Sequence, residues 1–206
     1  MGNALVDYLV CLYCGSSNKL VELEFIKCID CNKKITVKNR IPRFVDGAYH
    51  SNFGLQWNEF STVQLDSING SDESEKRLLT QSKLMPEDFK GKVILEVGAG
   101  NGRFTEIFLK YGARGIAVDY SSAIDANLKN HAQFIDEGRL LLVQGDLFDL
   151  PVTENFFDMV FCYGVIQHTG NNQKAIFELS KYPRNGGHLF IDIYSTRIKH
   201  FNPLIY

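Results

Sequence analysis

Runs of apolar residues, each about a strand long, recur through the second half of the chain with amphipathic stretches between them. Val93-Ile94-Leu95-Glu96-Val97 is apolar except for one acid, the length of a buried strand and too short for a core helix. Gly98, Gly100 and Gly102 follow at alternate positions, and a helix over roughly Phe104 to Tyr111 comes next. Arg114–Asp119 predicts a second strand, Arg139 to Phe148 contains a third, Phe156 to His168 a fourth with its following loop, and His188–Tyr194 a fifth. Ser122 is placed to cap a helix through about His131, and Asn172 one running to Lys181. Pro183-Arg-Asn-Gly-Gly187 predicts the turn into strand five. Upstream, Asp72-Glu-Ser-Glu75 has the spacing of a capping box and opens a helix through about Met85, where Pro86 stops it. Strands alternating with helices predict an α/β fold with a parallel sheet.

In such sheets ligands sit at the carboxyl ends of the strands, where the glycine turn falls. Glycine lets a ligand approach bare backbone and tolerates positive φ. A dinucleotide turn has the spacing G-x-G-x-x-G. Here it is G-x-G-x-G, and position 103 is Arg. Glu96 stands two residues before the first glycine, where a carboxylate repels a pyrophosphate and suits a cation. Asp119 closes strand two 23 residues after Glu96, placed to accept hydrogen bonds from ribose hydroxyls. That acid fits S-adenosylmethionine (AdoMet) and NAD equally.

The run Glu96-Val-Gly98-Ala-Gly100-Asn-Gly102 resembles motif I of the class I AdoMet-dependent methyltransferases, E/D-x-G-x-G-x-G, at every position. The resemblance extends over about residues 90 to 195. It includes Gly145-Asp146-Leu147 after strand three, Phe157-Asp158-Met-Val160 on strand four, Gly164-Val-Ile-Gln-His168 beyond it, and the Gly-Gly turn before strand five. It implies a Rossmann-like core with AdoMet across the tips of strands one to three. Glu96 would favour the cationic methionine end, and Gly98, Gly100 and Gly102 would admit the backbone approach. Asp119 would take the ribose, Tyr120 would sit beside the adenine, Asp146 would meet the adenine amino group, and Leu147 would pack on the ring. Tyr163 would line the methionine end. His168 is a candidate general base, with a structural role in its loop preferred. The implied reaction is methyl transfer to an O, N or C nucleophile by in-line displacement. The acceptor class stays open, with a small or carbohydrate-like molecule preferred. An NAD-dependent oxidoreductase and a non-catalytic binding module are the rival readings.

Residues 1 to about 45 carry Cys11-x-x-Cys14 and Cys28-x-x-Cys31, separated by 13 residues. Paired cysteines at this spacing predict one structural zinc held by four thiolates, with no open position for catalysis. Gly15 and Asn32 tolerate the left-handed turns a metal knuckle needs, and Lys19 to Lys27 predicts hairpin strand. The fifth cysteine, Cys162, falls in an apolar strand and reads as packing. Arg40-Ile-Pro-Arg-Phe-Val45 resembles the end of zinc ribbons that precede methyltransferase domains in some bacterial enzymes. The expected organisation is a ribbon over 1–45, an aromatic linker or lid and helix over 46–88, and the core over 89–206. Tyr49, Phe53, Trp57 and Phe60 are the candidate lid residues.

The net charge of −2 over 206 residues gives no support for broad nucleic-acid binding. No apolar run reaches the roughly 18 residues that span a bilayer. With no basic leader before MGNALVDYLV, the protein reads as cytoplasmic. Few residues follow strand five, so the chain is expected to be either a piece of a longer protein or a reduced core short of the two strands the family usually adds. An apolar edge at 188–194 then invites self-association or cover by the tail.

Overall fold

The computed structural model describes residues 3–45 and 65–193. The aromatic segment 49–60 and the tail after strand five lie outside them.

Four short strands come first: β1 (Lys19–Val21), β2 (Phe25–Cys28), β3 (Lys34–Lys38) and β4 (Ile41–Arg43), each antiparallel to its neighbour. The five core strands are β5 (Val93–Val97), β6 (Arg114–Asp119), β7 (Leu140–Gln144), β8 (Phe157–Cys162) and β9 (Pro183–Ile191), all parallel. All nine form one sheet in the order β1-β2-β3-β4-β7-β6-β5-β8-β9. The chain winds outward from β5 through β6 to β7, then crosses back to place β8 on the other side of β5. The winding therefore reverses between β5 and β8, and a crevice opens at the carboxyl ends of those strands.

The helices are α1 (Asp66–Asn69), α2 (Glu73–Ser82), α3 (Thr105–Lys110), α4 (Ile124–Asp136) and α5 (Asn172–Leu179). Every residue of β5 and β7 is buried because both faces of the sheet are covered. Leu95, Val97, Val118, Val143 and Val160 pack on one face with Leu179 of α5 and with Leu5, Val6 and Leu9 of an N-terminal turn. Ile94, Met159 and Phe161 pack on the other with Ile107, Phe108, Phe89 and Leu78. Cys162 is fully buried, as its strand position predicts.

The ribbon is hydrogen-bonded into this sheet. β4 lies parallel to β7 with Arg43 opposite Gln144, and Phe44 N donates to Gln144 O at 2.8 Å. Asn3 Nδ2 donates to Leu140 O at 2.8 Å, and Tyr8 stacks on Phe156 with ring centroids 4.0 Å apart.

Several helix ends differ from expectation. Asp72 occupies the N-cap of α2, but its side chain makes no cap bond. The carboxylate of Asp66 accepts from Ser74 N and Glu75 N instead, reaching across the turn from α1. Helix α2 ends at Ser82 with Lys83 in the left-handed conformation, φ 59°, before Pro86 is reached. Ser122 does not cap α4; Ser121 Oγ accepts from Ala123 N because Asp119 already holds that hydroxyl. Helix α4 continues past His131 to Asp136, with a kink at His131 itself. The cap of α5 is Asn171, whose side chain accepts from Lys174 N, one residue before the expected Asn172. Strand β9 starts at Pro183, which pairs with Phe157, and the next rung joins Met159 to His188. The predicted Gly-Gly turn is therefore an excursion within the strand. Gly187 is required there, because a Cβ would meet Phe157 O at 2.9 Å.

Gly115 on β6 faces the tightest backbone approach in the sheet: a Cβ would lie 2.1 Å from Ile94 O. Gly115→Ala must push β6 from β5, at a cost of at least about 1–3 kcal/mol. Urea unfolding should show the loss, and an unchanged midpoint would contradict this packing.

Candidate active site

The glycine turn is latched to β6: Gly98 N and Ala99 N both donate to Val118 O, at 2.8 and 3.1 Å. Its three glycines all have positive φ, but their surroundings differ. A Cβ on Gly98 would meet Val165 Cγ2 at 2.1 Å, and one on Gly102 would meet His131 Cε1 at 2.4 Å. Packing against the protein's own side chains dictates both. Of the three, Gly100, φ +52°, has nothing within 4 Å of its would-be Cβ among the described residues, so the open backbone surface for a ligand is there.

Asp119 closes β6 beside that surface. Its carboxylate accepts from Gly100 N at 2.8 Å, Ser121 N at 2.8 Å and Ser121 Oγ at 2.7 Å. Burial raises its pKa above the ordinary carboxylate value, against the lowering effect of these bonds. A carboxylate has about four lone-pair sites. One is open for an incoming hydroxyl, and rotation of Ser121 Oγ frees a second.

Across β7, Gln144 Nε2 donates to Tyr120 O at 3.0 Å and fixes the loop that carries Tyr120. Asp146 follows the tip of β7, with Oδ1 accepting from Phe148 N at 2.9 Å, and Leu147 is buried beside it. Tyr163 stands past the tip of β8, edge-on to Phe104 with centroids 5.5 Å apart. Arg77 and Arg103 both lie over the Phe104 ring, at 5.6 and 5.3 Å. Arg77 pairs with Asp192 beyond β9, and Asp192 Oδ1 also accepts from Gly164 N. His168 is exposed at the end of a short turn, Ile166–His168, and its backbone N donates to Val165 O at 2.9 Å.

Glu96 lies elsewhere than a surface-facing ligand contact would. It is only 5% exposed and turns toward α3, where Thr105 Oγ1 donates to its Oε2 at 2.5 Å. Asn127 Nδ2 donates to Thr105 Oγ1 at 3.1 Å, and His131 Nδ1 lies 2.8 Å from Asn127 Oδ1. Because Asn127 Oδ1 can only accept, this ring nitrogen is the donor. Burial pushes the His131 pKa down to about 4, so the ring is neutral at pH 7. Burial, reinforced by the charge of Asp119 and opposed by the Thr105 bond, pushes Glu96 up to about 8. A buried polar line thus runs beneath the glycine turn from β5 to α4. Thr105, Asn127 and His131 escaped the sequence reading. The i, i+4 pair Asn127 and His131, on the face of a helix that must be buried, is the signal that could have exposed them.

The four cysteines of the ribbon converge, with all four sulfurs within 4.8 Å of one another. Cys11 and Cys31 Sγ are 3.5 Å apart, Cys14 and Cys28 Sγ 3.6 Å. A tetrahedron of Zn–S bonds near 2.3 Å has edges of about 3.8 Å, so the donor set fits zinc. Two matching turns build it. Gly15 N donates to Cys11 O and Asn32 N to Cys28 O, with φ of 72° and 62° at the turn residues, as their identities predict.

Parallel strands whose winding reverses beside a glycine turn, with an acid on the next strand tip, define an open α/β domain with its ligand crevice at those tips. Residues 95–191 match the methyltransferase domain family, and that stretch has the class I AdoMet-dependent methyltransferase fold. The chain is 30% identical over 120 residues to a ubiquinone biosynthesis O-methyltransferase of Coxiella burnetii, covering 57% of this chain and 48% of that protein. It is 32% identical over 114 residues to the mitochondrial ubiquinone biosynthesis O-methyltransferase of Schizosaccharomyces pombe, covering 53% and 40%. The chain therefore spans about half the length of the curated relatives it matches, or less. The fold is similar to that of a putative S-adenosyl-L-methionine-dependent methyltransferase of Methanococcus maripaludis, with TM-score 0.54, 21% identity, and 67% of this chain and 61% of that one covered. Among the described residues no helix is long and apolar enough to cross a membrane.

The buried acid has a pH signature. An unfolded glutamate titrates near 4.5 and folded Glu96 near 8. The folded chain therefore keeps a proton that the unfolded chain has lost. The associated stability is fully present below pH 4.5 and disappears as pH rises through 8. Glu96→Gln mimics the protonated form and should flatten the decline in unfolding free energy between pH 5.5 and 8.5. An equally steep decline in wild type and variant would refute the assignment.

Proposed function

We propose that the chain transfers a methyl group from AdoMet to an O, N or C nucleophile of a small-molecule acceptor, and that its ribbon holds one structural zinc. The observation that carries the first part is the tip of β6, where Asp119 stands beside the open backbone of Gly100 at the point where the sheet reverses. An anionic acceptor at that point suits ribose hydroxyls; Glu96 beneath the turn, its pKa pushed up to about 8 by burial, is protonated at neutral pH and ties β5 to α3 through Thr105 rather than acting by charge. Asp146 and Leu147 lie at the next strand tip in the place for the adenine, and Tyr120 and Tyr163 flank the two ends. AdoMet, when bound, supplies a sulfonium-activated methyl group whose transfer leaves a neutral thioether. The residues around it need only align the acceptor and keep water out. His168, exposed on its loop, is read as structural in preference to a general base. Relatives named for ubiquinone biosynthesis and for phosphoethanolamine favour a small-molecule acceptor, whereas a carbohydrate-like one has no such support.

Four thiolates fill a zinc coordination shell, so the metal's role is to hold the ribbon. Alone, a segment this short buries too little apolar surface to hold its shape without such a staple or the sheet it joins.

Asp119→Ala should weaken AdoMet and S-adenosylhomocysteine binding by about 1–3 kcal/mol, because Gly100 N and the ribose hydroxyls both lose their acceptor. Calorimetry giving an unchanged affinity would overturn the strand-tip assignment. Metal analysis of protein purified without chelator should give one zinc per chain, lost when Cys28 is replaced by Ser. A ratio near zero with free thiols would refute the metal site.

A further inference from the structure

The fragment Ile41-Pro-Arg43 closes the ribbon, yet its arginine reaches into the core. We propose that Arg43 is a positioning residue for the nucleoside end of the cofactor site, acting through Gln144 and Asp125 on the loop that follows Asp119. The inference rests on the AdoMet reading of that site.

Arg43 ends β4 directly opposite Gln144, the last residue of β7. Its side chain is only 12% exposed. The guanidinium forks toward β7 and α4, and Nη2 also donates to Lys38 O within the ribbon at 3.3 Å. Nη1 donates to Gln144 Oε1 at 3.0 Å, and Nη2 donates to Asp125 Oδ1 at 2.6 Å. Because Gln144 spends its carbonyl on Arg43, its amide nitrogen faces the other way and donates to Tyr120 O. Asp125 lies in the first turn of α4. One guanidinium therefore ties both ends of the 120–125 segment, Tyr120 at its start and Asp125 at its end. Asp119 and Ser121, which meet the glycine turn, are held at the front of this segment.

The arrangement exceeds what joining two pieces of sheet requires. The seam already has its backbone bond from Phe44 N to Gln144 O, and Asn39 and Arg40 add polar contacts to α4 at Asp125 and Asp136. Burying a guanidinium is costly unless it is paired, and Arg43 Nε finds no partner among the described residues. Its planar fork, which lysine cannot reproduce, matches two acceptors fixed on different elements. A cation in this place also fixes which end of the Gln144 amide faces Tyr120, because a guanidinium can only donate. The ribbon thus sets the conformation of the loop on which the ribose-binding acid is carried.

The test uses the full 206-residue chain and measures S-adenosylhomocysteine binding by calorimetry beside urea unfolding. Arg43→Met keeps the stem and removes the fork. Gln144→Met cuts the Arg43–Gln144–Tyr120 branch, removing both bonds of Gln144, and leaves the Arg43–Asp125 pair. Each should weaken S-adenosylhomocysteine by about 10–100-fold, the range for a lost hydrogen bond to a charged group. The double variant should be little worse than either single one, because both act on one path. Arg43→Lys should restore stability more than affinity. A lower unfolding midpoint with affinity within twofold of wild type in Arg43→Met and Gln144→Met would overturn the proposal and leave Arg43 a structural strap. If Arg43→Met does not fold, Gln144→Met decides the matter alone. Wild-type protein that binds no S-adenosylhomocysteine would instead bring down the cofactor reading, and this inference with it.

Discussion

A carboxyl group sealed beneath a glycine turn governs the arrangement of the site. Glu96 on β5, Thr105 at the head of α3, and Asn127 and His131 on α4 bond in sequence, so one polar line fastens the three elements that form the turn. Buried polar groups are costly when unpaired, which makes such a line specific: a shift of any one element leaves its neighbours unsatisfied. The turn above inherits that rigidity. Gly102 has no side chain because His131 and Asn127 occupy the volume, and Gly98 has none because Val165 does. Two of the three glycines serve the protein's own packing, and the one between them faces outward.

The five core strands, the glycine turn, the acids at positions 119 and 146 and the cysteine quartet were all legible in the sequence. Each rests on local information: apolar runs, a spacing, a residue type at a strand end. What was not legible depends on tertiary placement. Asp72 has the right identity and spacing for a cap, but Asp66 reaches the same amides from the preceding turn, and sequence spacing does not reveal which carboxylate arrives first. Ser122 failed as a cap for a similar reason, since its neighbour Ser121 was already engaged by Asp119. Glu96 was read as favouring the cationic methionine end because it precedes the glycines; the pleat turns it to the α3 face with Ile94, where it bonds Thr105. Arg43 was part of a quoted motif without a role, because its partners lie 82 and 101 residues away.

The ribbon is an extension of the sheet. Its antiparallel strands continue the hydrogen-bond ladder past β7, and its N-terminal turn fills the core under the same strands through Leu5, Val6 and Leu9. The fold therefore has a single continuous core on that face, and changes in the ribbon are transmitted to the strand tips through paired backbone and one guanidinium.

The joint between β4 and β7 also has a bearing on how the chain is made. β7 is five consecutive buried residues, Leu140–Gln144, the kind of strand that pairs indiscriminately when its edge is bare. The segment that covers that edge is translated about a hundred residues earlier, and chains fold from the N-terminus as they emerge. By the time β7 leaves the ribosome, its partner has already been synthesised and tethered to the same chain. The order of synthesis places the guard ahead of the strand it guards.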